Sequence, residues 1–331
     1  MIDIPVFIHH ETGQKVQKGK DQTQAYLKSC ISQAEELGNK VILFGDDANK
    51  NWCDKWVCAQ KYKSGKWLEF LKVFENYSTY PDAWAKGIYY RFFAFEKYAE
   101  EHQIRRFVVL DSDILVYCNF SDQSYLLNYD FAASEPYSQN LIDMEKDALR
   151  WTVNVGLSYW TLDTLTDFLN FCIDKYSNCK EQLQQKWGYH QLKNLPGGVC
   201  EMSLIFLWVR SRPELKYLNL INPPKGLPLY NNNIMDSEEY LCQEYKVSFL
   251  TGVKQLSFQQ TPEGIKPFLT RYNGEKVRVQ NLHFIGVAKL MMHDIQTNRK
   301  LSRKIYLLMT YYHFRMIVGK VYRWIRGKNY V

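Results

Sequence analysis

Short apolar runs and stretches of helical periodicity alternate along the first part of the chain. Residues 4–8 are an apolar run that predicts a buried strand, and this strand ends at His9. Apolar positions at helical spacing over residues 22–37 predict a helix, and residues 41–44 form a second apolar run. This order predicts a β-α-β unit. Open parallel sheets bind ligands beyond the carboxyl ends of their strands, so we expect His9 to lie near a ligand.

The middle of the chain repeats the same alternation. Residues 107–110 are four consecutive apolar residues, which is typical of a central strand buried on both faces. Helical periodicity predicts one helix before this run and another after it, and short apolar runs predict further strands. The helices are expected over 88–99 and 162–173, and the strands over 131–133 and 153–159.

Two stretches lack either period. Residues 50–80 are predicted to be a loop region, and residues 221–236, which are rich in Pro and Asn, are predicted to be irregular. The fold class that follows is α/β, with a mixed and mostly parallel sheet flanked by helices. We assign residues 1–294 to this domain and residues 295–331 to a basic, helical C-terminal extension.

The composition is that of a packed globular protein, with 46% hydrophobic and 23% charged residues in a chain of 331. Aromatic residues reach 15%, led by 24 Tyr, which suits stacking on sugars or bases and suits an ordinary core equally. The amino terminus lacks the basic and apolar regions of a secretion signal, and no apolar run is long enough to span a membrane. The cysteines are scattered without a Cys-x-x-Cys pair. These features predict a cytoplasmic protein with reduced thiols.

The net charge of +7 is concentrated at the carboxyl end of the chain. Residues 295–331 contain nine Lys or Arg and no Asp or Glu, whereas the remaining 33 basic and 35 acidic residues nearly cancel. A body without excess positive charge argues against a nucleic-acid partner. The extension also has apolar residues at helical spacing over 305–316, which predicts peripheral attachment to an anionic membrane surface, on the inner face of the membrane. A C-terminal helix that packs its apolar face on the domain is the alternative.

Two carboxylates, Asp111 and Asp113, stand at the end of the predicted central strand. Desolvating two like charges at this spacing is costly, and a bound divalent cation relieves the repulsion. Oxygen ligands suit Mg²⁺ or Mn²⁺, so the pair predicts a metal site. The alternative is a solvent-facing acidic turn that simply ends the strand, because Asp-x-Asp is a common sequence.

A second motif, His-x-x-Gly-x-x-Lys, lies far downstream at residues 283–289. His283 offers an imidazole ligand, Gly286 would let the backbone approach a ligand closely, and Lys289 offers a cation for phosphate. Manganese accepts mixed carboxylate and imidazole shells, so Asp111, Asp113 and His283 form a candidate ligand set. The alternative is a histidine on a surface strand that is followed by an ordinary helix start.

The two motifs together resemble those of the glycogenin and galactosyltransferase-like family eight of retaining GT-A glycosyltransferases. The resemblance implies a GT-A, Rossmann-like fold, a UDP-sugar donor and a Mn²⁺ cofactor, with Mg²⁺ as the alternative. It also implies that the metal is bound by Asp111, Asp113 and His283. By position, the residues that it assigns to the donor are His9, Thr12, Tyr90, Arg91, Asp111, Ser112, Asn154, Gly156, Gly286 and Lys289.

The chain departs from this family near the reacting sugar. Where the family commonly has an Asp-Gln pair, residues 197–202 read Gly-Gly-Val-Cys-Glu-Met, and Leu290-Met291 stands where the family often has Pro-Trp. Glu201 is therefore a candidate sugar contact, nucleophile or general base, and Asp113 is a second candidate catalytic carboxylate. Alternatively, Glu201 only opens a helix predicted over 202–209, since acidic groups are favoured at helix amino termini. The substitution leaves retention and inversion both open, with retention favoured.

The function predicted from these features is a metal-dependent, hexosyltransferase-like transfer of sugar from a UDP-sugar to a glycan or lipid-linked acceptor. Residues 221–280 are expected to form part of the acceptor site. One alternative is a haloacid dehalogenase-like phosphatase, but such enzymes have the acidic pair near the amino terminus and Thr or Val where this chain has Leu115. A second alternative is a non-enzymatic protein that binds a membrane surface or nucleic acid through its tail. A dehydrogenase is disfavoured because no Gly-x-Gly-x-x-Gly follows a strand.

Overall fold

The computed structural model describes residues 3–11, 22–136, 151–235 and 244–325. Among them, seven strands form one sheet in the order β3-β2-β1-β4-β7-β6-β8. These strands are β1 (Val6–His10), β2 (Val41–Gly45), β3 (Trp56–Cys58), β4 (Arg106–Leu110), β6 (Phe131–Ser134), β7 (Asn154–Thr161) and β8 (Tyr217–Asn219). The short strand β5 (Ile114–Val116) lies outside this sheet.

All pairings in the sheet are parallel except those of β7, which runs antiparallel to both of its neighbours, β4 and β6. Leu110 at the carboxyl end of β4 pairs with Leu157, near the amino end of β7. The edge where β1 and β4 end is therefore also the edge where β7 begins. The fold class predicted from the sequence, a mixed and mostly parallel sheet flanked by helices, is confirmed.

The strand β4 lies between two hydrophobic cores. Val108 and Leu110 contribute to one core, and Phe107 and Val109 contribute to the other. Side chains alternate between the two faces of a strand, so a run of four apolar residues implies burial on both faces. The structure confirms the sequence interpretation of residues 107–110 as a central strand.

Helices cover both faces of the sheet and extend to the carboxyl end of the described chain. They are α1 (Gln22–Glu36), α2 (Gly65–Val73), α3 (Asp82–Glu101), α4 (Leu162–Ser177), α5 (Glu181–Leu192), α6 (Glu201–Arg210), α7 (Met292–Asn298) and α8 (Arg303–Ile325). The helix predicted over 22–37 corresponds to α1, and those predicted over 88–99 and 162–173 lie within α3 and α4. The helix expected over 202–209 corresponds to α6.

The prediction that residues 50–80 form a loop region is wrong for part of this stretch, which contains β3 and α2. Ser64 caps α2 by accepting a hydrogen bond from the N–H of Trp67, and Trp67 and Phe70 are buried on its inner face. A helix of nine residues has too few turns for a clear periodic signal. Helix α5 escaped prediction because its buried side chains include Lys186 and His190, which do not mark an apolar face.

Residues 221–235 are irregular, as predicted. A small antiparallel sheet follows, built from β9 (Leu256–Thr261), β10 (Gly264–Thr270) and β11 (Lys276–Arg278). The next strand, β12 (Asn281–His283), pairs with β5 and joins this carboxyl-terminal region to the end of β4.

Helix α7 packs against α1 and buries Met292 and Ile295. The domain boundary drawn between residues 294 and 295 falls inside this helix. Helix α8 buries Met309 completely, whereas Met316 on the same predicted face is exposed. No helix in the described part of the chain combines the length and the apolar character required to cross a bilayer.

Candidate active site

The pairing of β12 with β5 brings the downstream motif to the acidic motif. In this antiparallel register His283 lies opposite Ile114, and the N–H of Phe284 donates a hydrogen bond of 2.9 Å to the carbonyl oxygen of Asp113. Asp111 lies just beyond the end of β4, and its N–H donates to the carbonyl oxygen of Gly156 on β7. Three strands thus converge on one edge of the fold.

Asp111, Asp113 and His283 form a cluster in which one ligand atom from each residue lies within 4.8 Å of the others. The Oδ1 atom of Asp113 is 3.5 Å from Nε2 of His283, and its Oδ2 atom is 2.9 Å from Nζ of Lys289. The two sequence motifs therefore meet, and the surface-strand alternative for His283 is wrong because this side chain is buried. The donor set of two carboxylates and one imidazole suits Mn²⁺.

The buried carboxyl of Asp113 is held in its ionised form. Burial opposes ionisation, but the positive charges and hydrogen bonds of His283 and Lys289 outweigh it and keep the pKa of Asp113 well below its usual value. A simple solvent-facing turn would not have these partners. The acidic-turn alternative for Asp113 is therefore wrong, since this residue is buried.

Gly156 leaves room between the cluster's ligands. A Cβ atom at this position would lie 2.9 Å from Oδ2 of Asp111 and 3.2 Å from Cε1 of His283. Any side chain there would press on two of the three candidate ligands, so glycine keeps the centre of the cluster open. This open space and the donor chemistry both fit a divalent cation.

Arg91, on α3, joins the acidic cluster to Glu201. One guanidinium nitrogen pairs with Oδ1 of Asp111, and Nη2 lies 3.3 Å from Oε1 of Glu201. Glu201 is buried at the first position of α6, and its Oε2 atom has no hydrogen-bond partner among the described residues. Burial raises the pKa of Glu201, and Arg91 opposes this shift. Glu201 therefore does open this helix, as the alternative interpretation expects, and it also adds a buried carboxylate to the charged cluster through Arg91.

Two histidines stand at the end of β1 beside the same edge. His9 is partly buried, and burial together with the positive charge of Arg91 lowers its pKa to about 3, so its imidazole is neutral at ordinary pH. His10 lies farther out, where its Nδ1 atom is 3.1 Å from Oγ of Ser112. The sequence-predicted residues His9 and Ser112 therefore lie close to the acidic motif.

Tyr90 and Asn154 support the site through the backbone. The hydroxyl of the buried Tyr90 donates to the carbonyl oxygen of Ala59, and its ring lies 6.2 Å from that of His9. The Oδ1 atom of Asn154 accepts a 2.8 Å hydrogen bond from the N–H of Gly156. Asn154 thereby orients the glycine that faces Asp111. Thr12, also predicted to bind the donor, lies outside the described residues.

Gly286 begins the 3₁₀ turn Gly286–Met291, which carries Lys289. Its φ of 60° lies in the left-handed region, whereas a Cβ atom there would meet no other atom within 4 Å. Conformation is therefore sufficient to explain a glycine at this position. The turn directs Lys289 towards Asp113, and the Lys289 ammonium lies 5.0 Å from the ring centre of Tyr26.

Tyr26 and Asn49 are neighbours of the site that sequence reasoning missed. Tyr26 lies on α1, and its ring is 5.9 Å from that of His10. Asn49 donates a 2.6 Å hydrogen bond through Nδ2 to the carbonyl oxygen of His10. Neither residue belongs to a motif, and only their contacts with the end of β1 mark them. The Asn49 bond holds the strand end that carries both histidines.

No protein-family model and no curated protein matches the chain. Solved structures do align with it. Mouse xyloside xylosyltransferase 1 is 12% identical, with 65% of this chain and 84% of that one covered and a TM-score of 0.41. Galactosyltransferase LgtC, solved with donor and acceptor sugar analogues, is 14% identical, with coverages of 60% and 72% and a TM-score of 0.33.

A glycosyltransferase involved in glycosylating the major capsid of PBCV-1 is 13% identical, with coverages of 54% and 68% and a TM-score of 0.27. The chain is thus similar to these solved glycosyltransferases over 54–65% of its length.

Proposed function

We propose that this protein is a metal-dependent glycosyltransferase that uses a UDP-sugar and Mn²⁺ or Mg²⁺. The observation that carries the proposal is the continuous row of charged groups across the end of the sheet. Lys289 contacts Asp113, Asp113 lies beside His283 and Asp111, and Arg91 joins Asp111 to the buried Glu201. This row has cations and metal ligands for a diphosphate at one end and a carboxylate for a sugar at the other.

The bond that joins a sugar to a nucleoside diphosphate leaves negative charge on the diphosphate when it breaks. Asp111, Asp113 and His283 would hold the cation, which supplies Lewis-acid charge to the diphosphate when bound. The Lys289 ammonium is half-buried beside Asp113, where it would pair with a phosphate oxygen. Asp113 is the carboxylate that links the two cationic elements, so we assign it a catalytic role.

The same bond cleavage leaves positive charge on the sugar carbon. Glu201 is the carboxylate on the far side of Arg91, and its Oε2 atom has no partner among the described residues. We assign Glu201 the stabilisation of this positive charge. Retention is the outcome that we propose, on the resemblance of the two motifs to the retaining family. The anomeric configuration of the product, read by NMR immediately after transfer, tests this assignment.

The phosphatase alternative is not favoured by the site. Its nucleophile would be the first carboxylate of the pair, but Oδ1 of Asp111 is paired with Arg91. The second carboxylate is paired with Lys289. Each carboxylate is therefore paired as an anion with a cation of the protein. A carboxylate paired in this way is better suited to binding a metal ion than to attacking phosphorus.

Isothermal titration of UDP-sugars with and without Mn²⁺ tests the proposed function directly. We expect binding of at least one UDP-sugar with Mn²⁺ and its loss with EDTA or in Asp113→Asn. Asp122→Asn is the matched control, because Asp122 is an exposed aspartate outside the cluster. Binding that is equally strong in EDTA, or no binding of any UDP-sugar, would contradict the proposal.

We also propose that α8 attaches the enzyme to an anionic lipid surface. Leu307, Tyr311, Phe314, Val318 and Val321 are all exposed and recur every three or four residues, so they form one apolar stripe along α8. The opposite side of the helix is packed on the domain through Met309. One apolar side of α8 is thus buried against the domain, and the other is left exposed to solvent and available to a lipid surface. Residues 295–331 contain basic and no acidic residues, which favours a lipid surface that is anionic.

Flotation with vesicles of phosphatidylcholine, with and without phosphatidylglycerol, tests this attachment. We expect binding only to the anionic vesicles, and we expect Val318→Glu to weaken it several-fold. Ile265→Glu is the matched control, because Ile265 is exposed on β10 away from the stripe. Equal flotation of both variants, or a stripe-dependent dimer in sedimentation without vesicles, would contradict the lipid assignment.

A further inference from the structure

Two large aromatic side chains, Tyr80 and Trp84, lie exposed beside one another at the start of α3. Their ring centres are 4.2 Å apart, and the side chains are 36% and 50% exposed. Aromatic rings of this size are mostly buried in a folded domain, and in this protein both hydrophobic cores contain many buried aromatic side chains. An exposed pair of adjacent rings is a surface suited to binding.

The backbone holds this pair against the segment that leads into Glu201. The N–H of Thr79 donates to the carbonyl oxygen of Gly197, and the N–H of Val199 donates to that of Tyr77, both at 2.9 Å. Gly198 lies between them with a φ of 134°, and a Cβ atom there would be 2.4 Å from the Tyr77 carbonyl oxygen. The two chain segments therefore approach each other as closely as only glycine permits.

The rings lie on the Glu201 side of the charged row. The hydroxyl of Tyr80 is 3.5 Å from where a Cβ atom of Gly197 would be. Burial and the nearby Cys200 and Glu201 raise the pKa of Tyr80, which is consistent with this proximity. Trp84 precedes Arg91 by seven residues on α3, so both lie on one face about 10 Å apart along the helix axis.

Tyr80 and Trp84 lie at the Glu201 end of the charged row, away from the end that carries Lys289. Lys289 and the candidate metal ligands would hold the diphosphate. His10, at the end of β1, and Tyr26, on α1, lie next to Lys289 and Ser112 on the β1 side. A donor that places its diphosphate at the metal ligands and its sugar at Glu201 leaves its nucleoside on the β1 side. The molecule that meets Tyr80 and Trp84 then arrives from the opposite side, which is the side of the acceptor.

We propose that Tyr80 and Trp84 form the acceptor subsite, and that the acceptor is a saccharide that stacks a pyranose ring on them. This inference rests on the proposed glycosyl transfer. The C–H groups on one face of a pyranose are apolar, and they pack on the electron-rich faces of aromatic rings. A ring held there would lie on the Glu201 side of the charged row. Its hydroxyl oxygen could then bond to the donor's sugar carbon as the bond from that carbon to the diphosphate breaks, with UDP leaving and the hydroxyl proton passing to the leaving phosphate oxygen. The pyranose belongs to a free oligosaccharide or to a lipid-linked one.

The test is transfer from UDP-glucose, UDP-galactose, UDP-N-acetylglucosamine and UDP-xylose, with Mn²⁺, to lactose, cellobiose and maltose. Each disaccharide is offered both as a free sugar and as its octyl glycoside, which distinguishes soluble from lipid-linked acceptors. The acceptor KM is measured alongside hydrolysis of the donor by water. We expect Trp84→Ala to raise the acceptor KM about tenfold and to lower the ratio of transfer to hydrolysis.

Trp84→Phe is expected to restore most of the affinity because it keeps an aromatic face. Tyr306→Ala is the matched control, since Tyr306 is an exposed aromatic on α8 that lies outside the candidate active site and outside the apolar stripe. An acceptor KM unchanged in Trp84→Ala, or donor hydrolysis without transfer to any saccharide, would overturn the subsite and leave glycosyl transfer standing. If the wild-type protein turns over no UDP-sugar, the proposed function itself fails.

Discussion

Single atoms decide whether the acidic cluster can hold a cation. The Cβ atom that Gly156 lacks would occupy the space beside Oδ2 of Asp111 and Cε1 of His283. The hydrogen bond that the Asn154 side chain accepts from the N–H of Gly156 orients this glycine. The space for a cation therefore depends on the absence of a side chain at Gly156 as well as on the presence of the candidate ligands.

Gly156→Ala should therefore weaken Mn²⁺-dependent binding of UDP-sugar by at least about tenfold, which corresponds to about 1.4 kcal/mol. The added methyl group displaces candidate ligands, while the strand itself tolerates alanine. Isothermal titration measures the loss. Gly188→Ala is the control because a Cβ atom there would meet nothing within 4 Å. Unchanged affinity in Gly156→Ala would show that the cation does not bind between these ligands.

Glu201→Gln keeps the size of the side chain and removes its charge. We expect kcat to fall by about a hundredfold or more, since a charge that stabilises the transition state is lost, while UDP-sugar still binds. Rates of donor turnover and titration of UDP-sugar separate the two effects. Glu181→Gln, at the exposed start of α5, is the matched control. A nearly normal kcat in Glu201→Gln would remove this carboxylate from the chemistry.

At the scale of elements, one short strand pair joins the two motifs. The strands β5 and β12 pair over only three residues, so their register needs further support. Asn281 provides it, because its side chain accepts from the N–H of Asn231 at 2.7 Å and donates to the Asn231 carbonyl oxygen at 2.9 Å. All of these groups are buried. The asparagine thus ties β12 to the irregular segment beside it.

Asn281→Ala should lower the free energy of unfolding by about 2–3 kcal/mol, since two buried backbone groups lose their partners. It should also weaken Mn²⁺-dependent donor binding, because β12 carries His283. Urea unfolding followed by circular dichroism measures the first effect. Asn128→Ala, at an exposed position, is the control. Full stability of Asn281→Ala would show that the strand pair holds its register without this side chain.

At the scale of the whole molecule, the site is assembled from both halves of the sequence. Asp111 directly follows β4, His283 and Lys289 come from the carboxyl-terminal region, and Glu201 opens α6. A ligand that bridges these parts stabilises the folded state as a unit, because the unfolded chain cannot bind it.

UDP together with Mn²⁺ should therefore raise the melting temperature. At a hundredfold excess over Kd the stabilisation should be about 2.7 kcal/mol. Differential scanning calorimetry measures it, with UDP alone, Mn²⁺ alone and EDTA as comparisons. Asp113→Asn should remove the effect of the pair. A rise in melting temperature that persists in this variant would indicate binding at a different place.

Much of the fold was accessible from periodicity. Residues 107–110 were predicted as a strand buried on both faces, and α1, α3 and α4 were predicted from apolar spacing. These patterns are local, and burial acts on them directly. Helices α2 and α5 were not predicted, because one is short and the other buries Lys186 and His190 on its inner side.

The sequence by itself determined the chemistry of the two motifs. It specifies which metal ligands and which cation are available, namely Asp111, Asp113, His283 and Lys289. Tertiary structure decided what these residues meet. Arg91 reaches both Asp111 and Glu201, and His9 becomes neutral because the fold buries it in part and places it near Arg91.

The position of the aromatic pair Tyr80 and Trp84 was also decided by the tertiary structure. Tyr80 and Trp84 lie beside the segment leading to Glu201 only because residues 77–79 hydrogen-bond to residues 197–199. Such contacts join residues more than a hundred positions apart, and strand pairing and helix packing set their distances. Local sequence specifies the functional groups, and the packing of distant segments specifies their geometry.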